Sequence, residues 1–147
     1  MKLMVAVKLQ PTPDQATLLL RTLEAANAAA NRISNLAWDQ ATFNQFKLHR
    51  IAYGPLRADG VLAAQVIVRL IAKVADAYKR DARTKRTFHR RGAVPYDDRI
   101  LRWYDSAISI WTLGGRQYVP FVCGEQQRTL LANRKGESDL VYRGGQW

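Results

Sequence analysis

The stretch Leu3-Met4-Val5-Ala6-Val7-Lys8-Leu9-Gln10-Pro11-Thr12-Pro13-Asp14-Gln15 decides the fold of this chain. Leu3, Val5, Val7 and Leu9 alternate with Ala6 and Lys8, and Lys2 extends the second series, which is the period of a half-buried strand. Gln10-Pro11 ends it. Thr12 is then a good N-cap, Pro13 suits the first helical position, and Gln15 completes a capping box. Ala16, Leu19, Leu23, Ala26, Ala30, Ile33 and Ala37 follow in steps of three and four, one apolar stripe on a helix of about 25 residues. Its alanines permit close approach of another helix. A lone strand followed at once by a long helix has no near partner, so its partners are sought far along the chain.

Working outward, a shorter helical piece is predicted around Phe43–Leu56, with Tyr53, Gly54 and Pro55 obscuring its end. Asp59-Gly60 is a turn signal. A second long helix runs from about Val61 to Ala82, burying Ala64, Ile67, Ile71, Val74 and Tyr78. From Ala93 onward β-formers dominate. Ile108, Ile110 and Thr112 lead into Gly114-Gly115, and Tyr118 to Val122 leads out again, a hairpin signature. Glu125–Asn133 reads as a short helix and Asp139–Tyr142 as a strand. Gly144-Gly145 then turns the chain back with only Gln146 and Trp147 remaining. Two residues are too few for a useful returning strand. The Tyr142 strand is therefore expected to have an open edge, and the sequence reads as truncated in mid-hairpin. The expected class is α+β: a first strand in 1–11, a helical block inserted over 12–91, and a β unit over 92–147 that supplies partners for the first strand.

Charge points to the partner. The 147 residues carry 23 Lys and Arg against 12 Asp and Glu, a formal net charge of +11. Such an excess repels itself in the folded state unless a polyanion relieves it. Nucleic acid is the first candidate and an anionic membrane surface the second. The cations concentrate in Lys79-Arg80-Asp81-Ala82-Arg83-Thr84-Lys85-Arg86-Thr87-Phe88-His89-Arg90-Arg91, which holds seven of them and one acid. Lys79, Arg80, Arg83, Lys85, Arg86, Arg90 and Arg91 are the expected phosphate contacts, and the rings of Phe88 and His89 among them suit base stacking. The plainer alternative is a linker charged to stay solvated. The helices carry alanine stripes suited to packing rather than the basic amphipathic face of a membrane-surface binder, so no membrane partner is expected. One cysteine, Cys123, fits a reducing compartment. No apolar run is long enough for a signal peptide or a membrane span, and the chain reads as cytoplasmic.

No catalytic set emerges. Asp97-Asp98 are neighbours that an extended strand would point in opposite directions, so turn or salt-bridge duty is the expectation rather than a metal site. His49 and His89 lack partners at ligand spacing. Cys123 before Gly124-Glu125 reads as a small core residue at a strand end. Trp103, Tyr104, Trp111, Tyr118, Phe121, Tyr142 and Trp147 gather in the β half, where core packing is the default and a stacking platform the alternative.

The pattern resembles the N-terminal part of TnpB-type (OrfB) proteins of insertion sequences, called transposases and related to compact type V CRISPR effectors. The resemblance spans essentially the whole chain. Its early motifs are Pro11-Thr12-Pro13-Asp14-Gln15, Ala29-Ala30-Asn31, Gln65 and Ala77-Tyr78-Lys79. The later and more specific ones are Ser109-Ile110-Trp111-Thr112-Leu113, Gly115-Arg116-Gln117, Pro120-Phe121 and Gly136-Glu137-Ser138-Asp139-Leu140 with Val141-Tyr142-Arg143. It implies an oligonucleotide-binding-like β-barrel, made by the first strand and the strands after about residue 93, with a helical recognition lobe inserted. It also implies guide RNA and target DNA as partners, and Tyr53, Gln65 and Arg69, by position, as readers of a short motif beside the target. The family's nuclease domain, with its three metal-binding acids and its cysteine-rich zinc ribbon, has no counterpart in these residues. No catalytic residue, metal ligand or cofactor is therefore assigned here, and Mg²⁺ and Zn²⁺ would belong to that domain. A non-catalytic regulatory protein derived from such an element is the alternative.

Overall fold

The structure is a computed structural model and describes residues 4–132 and 137–147. Met1, Lys2 and Leu3 of the expected first strand, Asn133 of the expected short helix and Gly136 of the late motif lie outside the described residues. The elements run β1 (Lys8–Leu9), α1 (Pro13–Asp39), α2 (Gln45–Asp59), α3 (Ala64–Arg80), β2 (Val94–Tyr96), β3 (Leu101–Trp103), β4 (Ala107–Thr112), β5 (Gly115–Val122), α4 (Glu125–Leu131) and β6 (Ser138–Leu140). The class is α+β.

The N-terminus of α1 forms as the sequence predicts. The Gln15 amide donates to Thr12 Oγ1 at 3.2 Å, and the Thr12 amide donates to Gln15 Oε1 at 3.1 Å. Two orphan donors of the first turn are thus satisfied reciprocally. Leu19, Leu23, Ala26, Ala30, Ile33 and Ala37 are buried as a stripe, while Ala16 at its end is half-buried. Asn44 caps α2 through Oδ1, and Gly60 ends it in the left-handed region at φ 69°. The helix passes through Pro55, whose missing N–H leaves the Ile51 carbonyl without its helical donor, and ends at Asp59, three residues beyond the expected Leu56. α3 begins three residues later and ends two residues earlier than expected. Asp81 leaves the helix in an extended conformation, and its carboxylate accepts from the Arg83 amide at 2.9 Å. Val66, Ile67, Leu70, Ile71, Val74 and Tyr78 are buried on α3, and full burial of such side chains is worth roughly 1.5–3 kcal/mol each.

β1 is much shorter than its sequence pattern suggests, but its partner is distant as expected: Lys8 faces Val122 and Leu9 faces Phe121 on antiparallel β5. The described strands form an open sheet in the order β1-β5-β4-β3 and a separate pair, β2-β6. They do not close into a barrel. β6 pairs with β2 and not with a strand of the larger sheet, so the ring of hydrogen bonds that closure requires is interrupted. The β4–β5 turn is Leu113-Gly114, with Gly115 opening β5 at φ 90°. This turn lies so close to α1 that a Cβ on Gly114 would come within 2.9 Å of Leu18. The Leu113 amide donates to buried Thr22 of α1 at 3.1 Å, which fixes the hairpin against the helix.

The final turn also differs from expectation. Gly144 and Gly145, at φ 56° and 81°, return the chain so that Arg143 and Gln146 exchange two backbone hydrogen bonds of 2.9 Å. The Leu9 amide donates to the Trp147 carbonyl at 3.1 Å, and the Trp147 ring meets that of Tyr142 at 4.6 Å. β1 and an aromatic contact receive the two returning residues. One hydrophobic core includes Leu19 and Ile33 of α1, Leu48 of α2, Ile67 of α3, Tyr96 of β2, Ile110 of β4 and Leu140 of β6.

Candidate nucleic-acid interface

The basic run begins on the last turn of α3 with Lys79 and Arg80 and continues as an irregular segment to Arg91. Its backbone is not loose. Three polar residues of α1, Asn27, Asn31 and Ser34, hold it at successive points. The Phe88 amide donates to Asn31 Oδ1 at 2.8 Å, and Asn31 Nδ2 donates to the Phe88 carbonyl at 3.0 Å. One side-chain amide thus imitates the exchange that a neighbouring strand would make. Asn27 Nδ2 donates to the Gly92 carbonyl at 2.9 Å and the Arg90 carbonyl at 3.3 Å. Ser34 Oγ donates to the Arg86 carbonyl at 2.5 Å.

Ser34 has only one hydroxyl proton. With it committed to Arg86, the 2.7 Å contact between Ser34 Oγ and the Tyr78 hydroxyl is donated by Tyr78. The Tyr78 oxygen then accepts from the Arg86 amide at 3.1 Å. Tyr78 is 2% exposed and its ring packs on Phe43 at 4.7 Å, so the strap is tied to the core through a buried phenol. Lys73 of α3 adds a second tie. Its Nζ donates to the Ala93 carbonyl at 2.6 Å and sits 5.0 Å from the centroid of the Phe88 ring. Burial lowers the Lys73 pKa from its ordinary value, with the Asp139 carboxylate opposing.

Of the pinned residues, Arg90 remains exposed. Arg86 and Phe88 are half-buried, whereas Lys85, Thr87, His89 and Arg91 are exposed. Arg83 and Arg86 share Asp81, at 3.3 and 3.8 Å, and Arg90 pairs with Glu24. Lys79, Arg80, Lys85 and Arg91 have no acidic partner among the described residues. Hydrogen bonds from Arg83, backbone first, hold the Asp81 carboxyl below its ordinary pKa.

Gln65 and Arg69 lie toward the other end of α3, about 21 and 15 Å from Lys79 along the helix axis. They belong to a polar cluster at the junction with the β unit. Gln65 Nε2 donates to Asp97 Oδ2 at 2.5 Å, and Arg99 Nη1 donates to Gln65 Oε1 at 3.0 Å. Arg69 Nε lies 3.5 Å from the same Asp97 oxygen without the alignment of a hydrogen bond, and its Nη1 pairs with Glu137. Tyr53 is elsewhere, on α2, stacked on His49 at 4.7 Å. The ten residues singled out from the sequence therefore form three groups. Seven lie on the strap and the α3 end that starts it, two lie in the junction cluster, engaged with protein partners although Arg69 Nε makes no hydrogen bond, and Tyr53 lies apart. Asp97 performs the turn and ion-pair duty expected of it, its Oδ1 also accepting from the Arg99 amide at 3.0 Å. His89 Nδ1 accepts from the Arg91 amide at 3.1 Å.

Sequence reading missed the residues that hold the strap. The signal was present: Asn27, Asn31 and Ser34 are spaced by four and three, a polar stripe beside the alanine stripe of α1. Among the described residues no three of His, Cys, Asp and Glu come together as metal ligands, and no helix is long and apolar enough to cross a membrane.

The site thus defines a class by its geometry: an α+β protein whose surface carries a fixed, extended strap of cations. No protein-family model matches the chain, and no curated protein sequence matches it.

Proposed function

We propose that this chain binds guide RNA and target DNA as the N-terminal nucleic-acid-binding portion of a TnpB-like, transposon-encoded RNA-guided DNA endonuclease. Cutting would belong to a separate nuclease domain that holds Mg²⁺ and a zinc ribbon. The observation that carries the binding reading is the strap. Among the described residues Lys79, Arg80, Lys85 and Arg91 lack acidic partners, on the end of α3 and on the segment that α1 fixes beyond it, and like charges held together in this way are relieved by a polyanion. Arg83, Arg86 and Arg90 would exchange their carboxylates for phosphates. The four-stranded sheet with the β2–β6 pair would be an open form of the oligonucleotide-binding-like wedge, and α1–α3 the inserted lobe. In that arrangement the protein follows backbone charge and shape while base pairing reads sequence. Tyr53, Gln65 and Arg69 would reach a target motif only after Gln65 and Arg69 leave Asp97 and Glu137.

The continuous core from α1 to β6 favours a second reading, a non-catalytic RNA- or DNA-binding regulator derived from such an element. Both readings share one test, a salt titration of binding to a structured RNA from the DNA flanking the gene, an unrelated RNA and a DNA duplex. Preference for the flanking RNA supports the guide; weak and equal binding to all three refutes it. Replacing Arg83, Lys85 and Arg86 together by Ala lowers the slope of log K against log[salt] by up to roughly 0.7–0.9 for each phosphate that the variant no longer neutralises. An unchanged slope removes the strap from the interface.

A further inference from the structure

The four-stranded sheet has two unlike faces. Register and alternation put Leu9, Phe121, Val119, Ile108, Ile110 and Leu101 on one face, all buried. The other face covers Ser109 of β4, which is 3% exposed, and half-covers Ala107 and Trp111 at its centre. It exposes Lys8 on β1, Arg116, Tyr118 and Pro120 on β5, and Arg102 on β3. Tyr104, 48% exposed, follows β3, and Tyr118 is 64% exposed.

These two tyrosines stand on the outer neighbours of β4, and strands two apart in a sheet are separated by about 10 Å. Their rings nevertheless approach to 5.8 Å between centroids. They can do so because β4 places only Ala107 and Ser109 between them. Ser109 Oγ accepts from Arg116 Nη1 at 3.0 Å and the Arg99 carbonyl accepts from Arg116 Nη2 at 2.5 Å, so this guanidinium is tied to β4 and to the residues before β3. β1, β3, β4 and β5 contain no Asp or Glu. Lys8, Arg102 and Arg116 form no ion pair among the described residues. A core-forming role does not account for two exposed rings that meet, and a merely solvated face does not require them.

We propose that this face is a second nucleic-acid site, in which unpaired bases of a single strand stack on Tyr104 and Tyr118 while Lys8, Arg102 and Arg116 neutralise the flanking phosphates. Flat rings accept any base, and cations without ion pairs on strands that carry no acid complement the backbone. A duplex offers its phosphates but keeps its bases inside, so the platform discriminates single strands from duplexes, which the strap does not. The platform rests on the nucleic-acid reading of the protein and specifies the form of nucleic acid that this face takes.

The test measures binding of the full chain to an unstructured 12-nucleotide poly-U RNA, the equivalent poly-dT and a 12-base-pair duplex, by fluorescence anisotropy at fixed salt. Tyr104→Ala with Tyr118→Ala weakens binding of the single strands by roughly five- to 150-fold for each base that no longer stacks and leaves the duplex unaffected. Tyr104→Phe with Tyr118→Phe, which keeps both rings, retains single-strand binding and controls for folding. Equal poly-U and poly-dT affinities assign the site to bases and phosphates alone, a preference for poly-U adds the ribose hydroxyl, and both count as support. Equal loss on single strand and duplex, or no loss on either, overturns the platform. If the alanine variant binds normally while the strap variant loses binding, the platform falls and the strap reading stands. If the wild type binds no oligonucleotide, both fall. Self-association through this face without oligonucleotide binding, read by sedimentation, assigns it to a second copy and overturns the proposal.

Discussion

Replacing Asn31 by Ala isolates the contact that makes the basic run a strap. Asn31 exchanges two hydrogen bonds with Phe88, at 2.8 and 3.0 Å, and each such bond is worth roughly 0.5–1.5 kcal/mol net. With Phe88 no longer held, its ring also leaves Lys73, a contact worth about 0.5–1 kcal/mol at a partly exposed site. The expected destabilisation is therefore about 2–3 kcal/mol, toward the lower end if the freed Phe88 groups reach water. Urea slopes for small proteins are about 1–3 kcal/mol/M, so the unfolding midpoint should fall by roughly 1 M. Hydrogen exchange adds a local readout, because the Phe88 and Arg86 amides should exchange much faster in the variant. Asn31→Asp retains the acceptor for the Phe88 amide but turns a carboxylate oxygen toward the Phe88 carbonyl, and should fall between wild type and Asn31→Ala. A midpoint within about 0.3 M of wild type, together with unchanged exchange at Phe88, would refute the claim that α1 fixes the strap.

Two further outcomes follow from the junction cluster and the buried amine. Asp97→Ala removes acceptors used by Gln65 Nε2 and the Arg99 amide and leaves Arg69 with Glu137 alone; a loss of about 1–3 kcal/mol is expected in chemical denaturation, and an unchanged midpoint would show that the cluster does not tie α3 to the β unit. The fold disfavours the charged form of Lys73 and lowers its pKa below the ordinary 10.5. Between the lowered pKa and 10.5 the unfolded chain binds more protons than the folded one at this site, so its contribution to stability rises with pH. Wild type should gain stability relative to Lys73→Met as the pH is raised from neutral toward that window, and a relative loss would contradict the burial of a charged amine.

Local chemistry made much of the helical half legible. Thr12, Pro13 and Gln15 specify a helix start through groups no more than three residues apart, and the stripe from Leu19 to Ala37 needs only the 3.6-residue period to place its buried side. The strong β4–β5 pattern was legible for the same reason. Boundaries were less so. Pro55 obscures where α2 ends, but Leu48, Ala52 and Leu56 bury one face of the helix, and that packing outweighs one missing helical bond. The first strand reads as long, but pairing decides its length, and among the described residues only Lys8 and Leu9 find β5.

By itself the sequence determined the charge, the start of α1, the buried stripes and the distant pairing of the first strand, because each depends on residue type and short-range period. Only the tertiary structure decided what the charge rests on and which face of the sheet exposes its tyrosines. Asn27, Asn31 and Ser34 meet Gly92, Phe88 and Arg86 across some fifty to sixty-five residues of chain, and Tyr104 meets Tyr118 through the register of three strands. Closure of the sheet was also decided there, by β6 pairing with β2 rather than with β1 or β3. Such contacts depend on which partner competes best for a buried hydrogen bond or an apolar surface, and that competition takes place between segments that the order of residues leaves far apart.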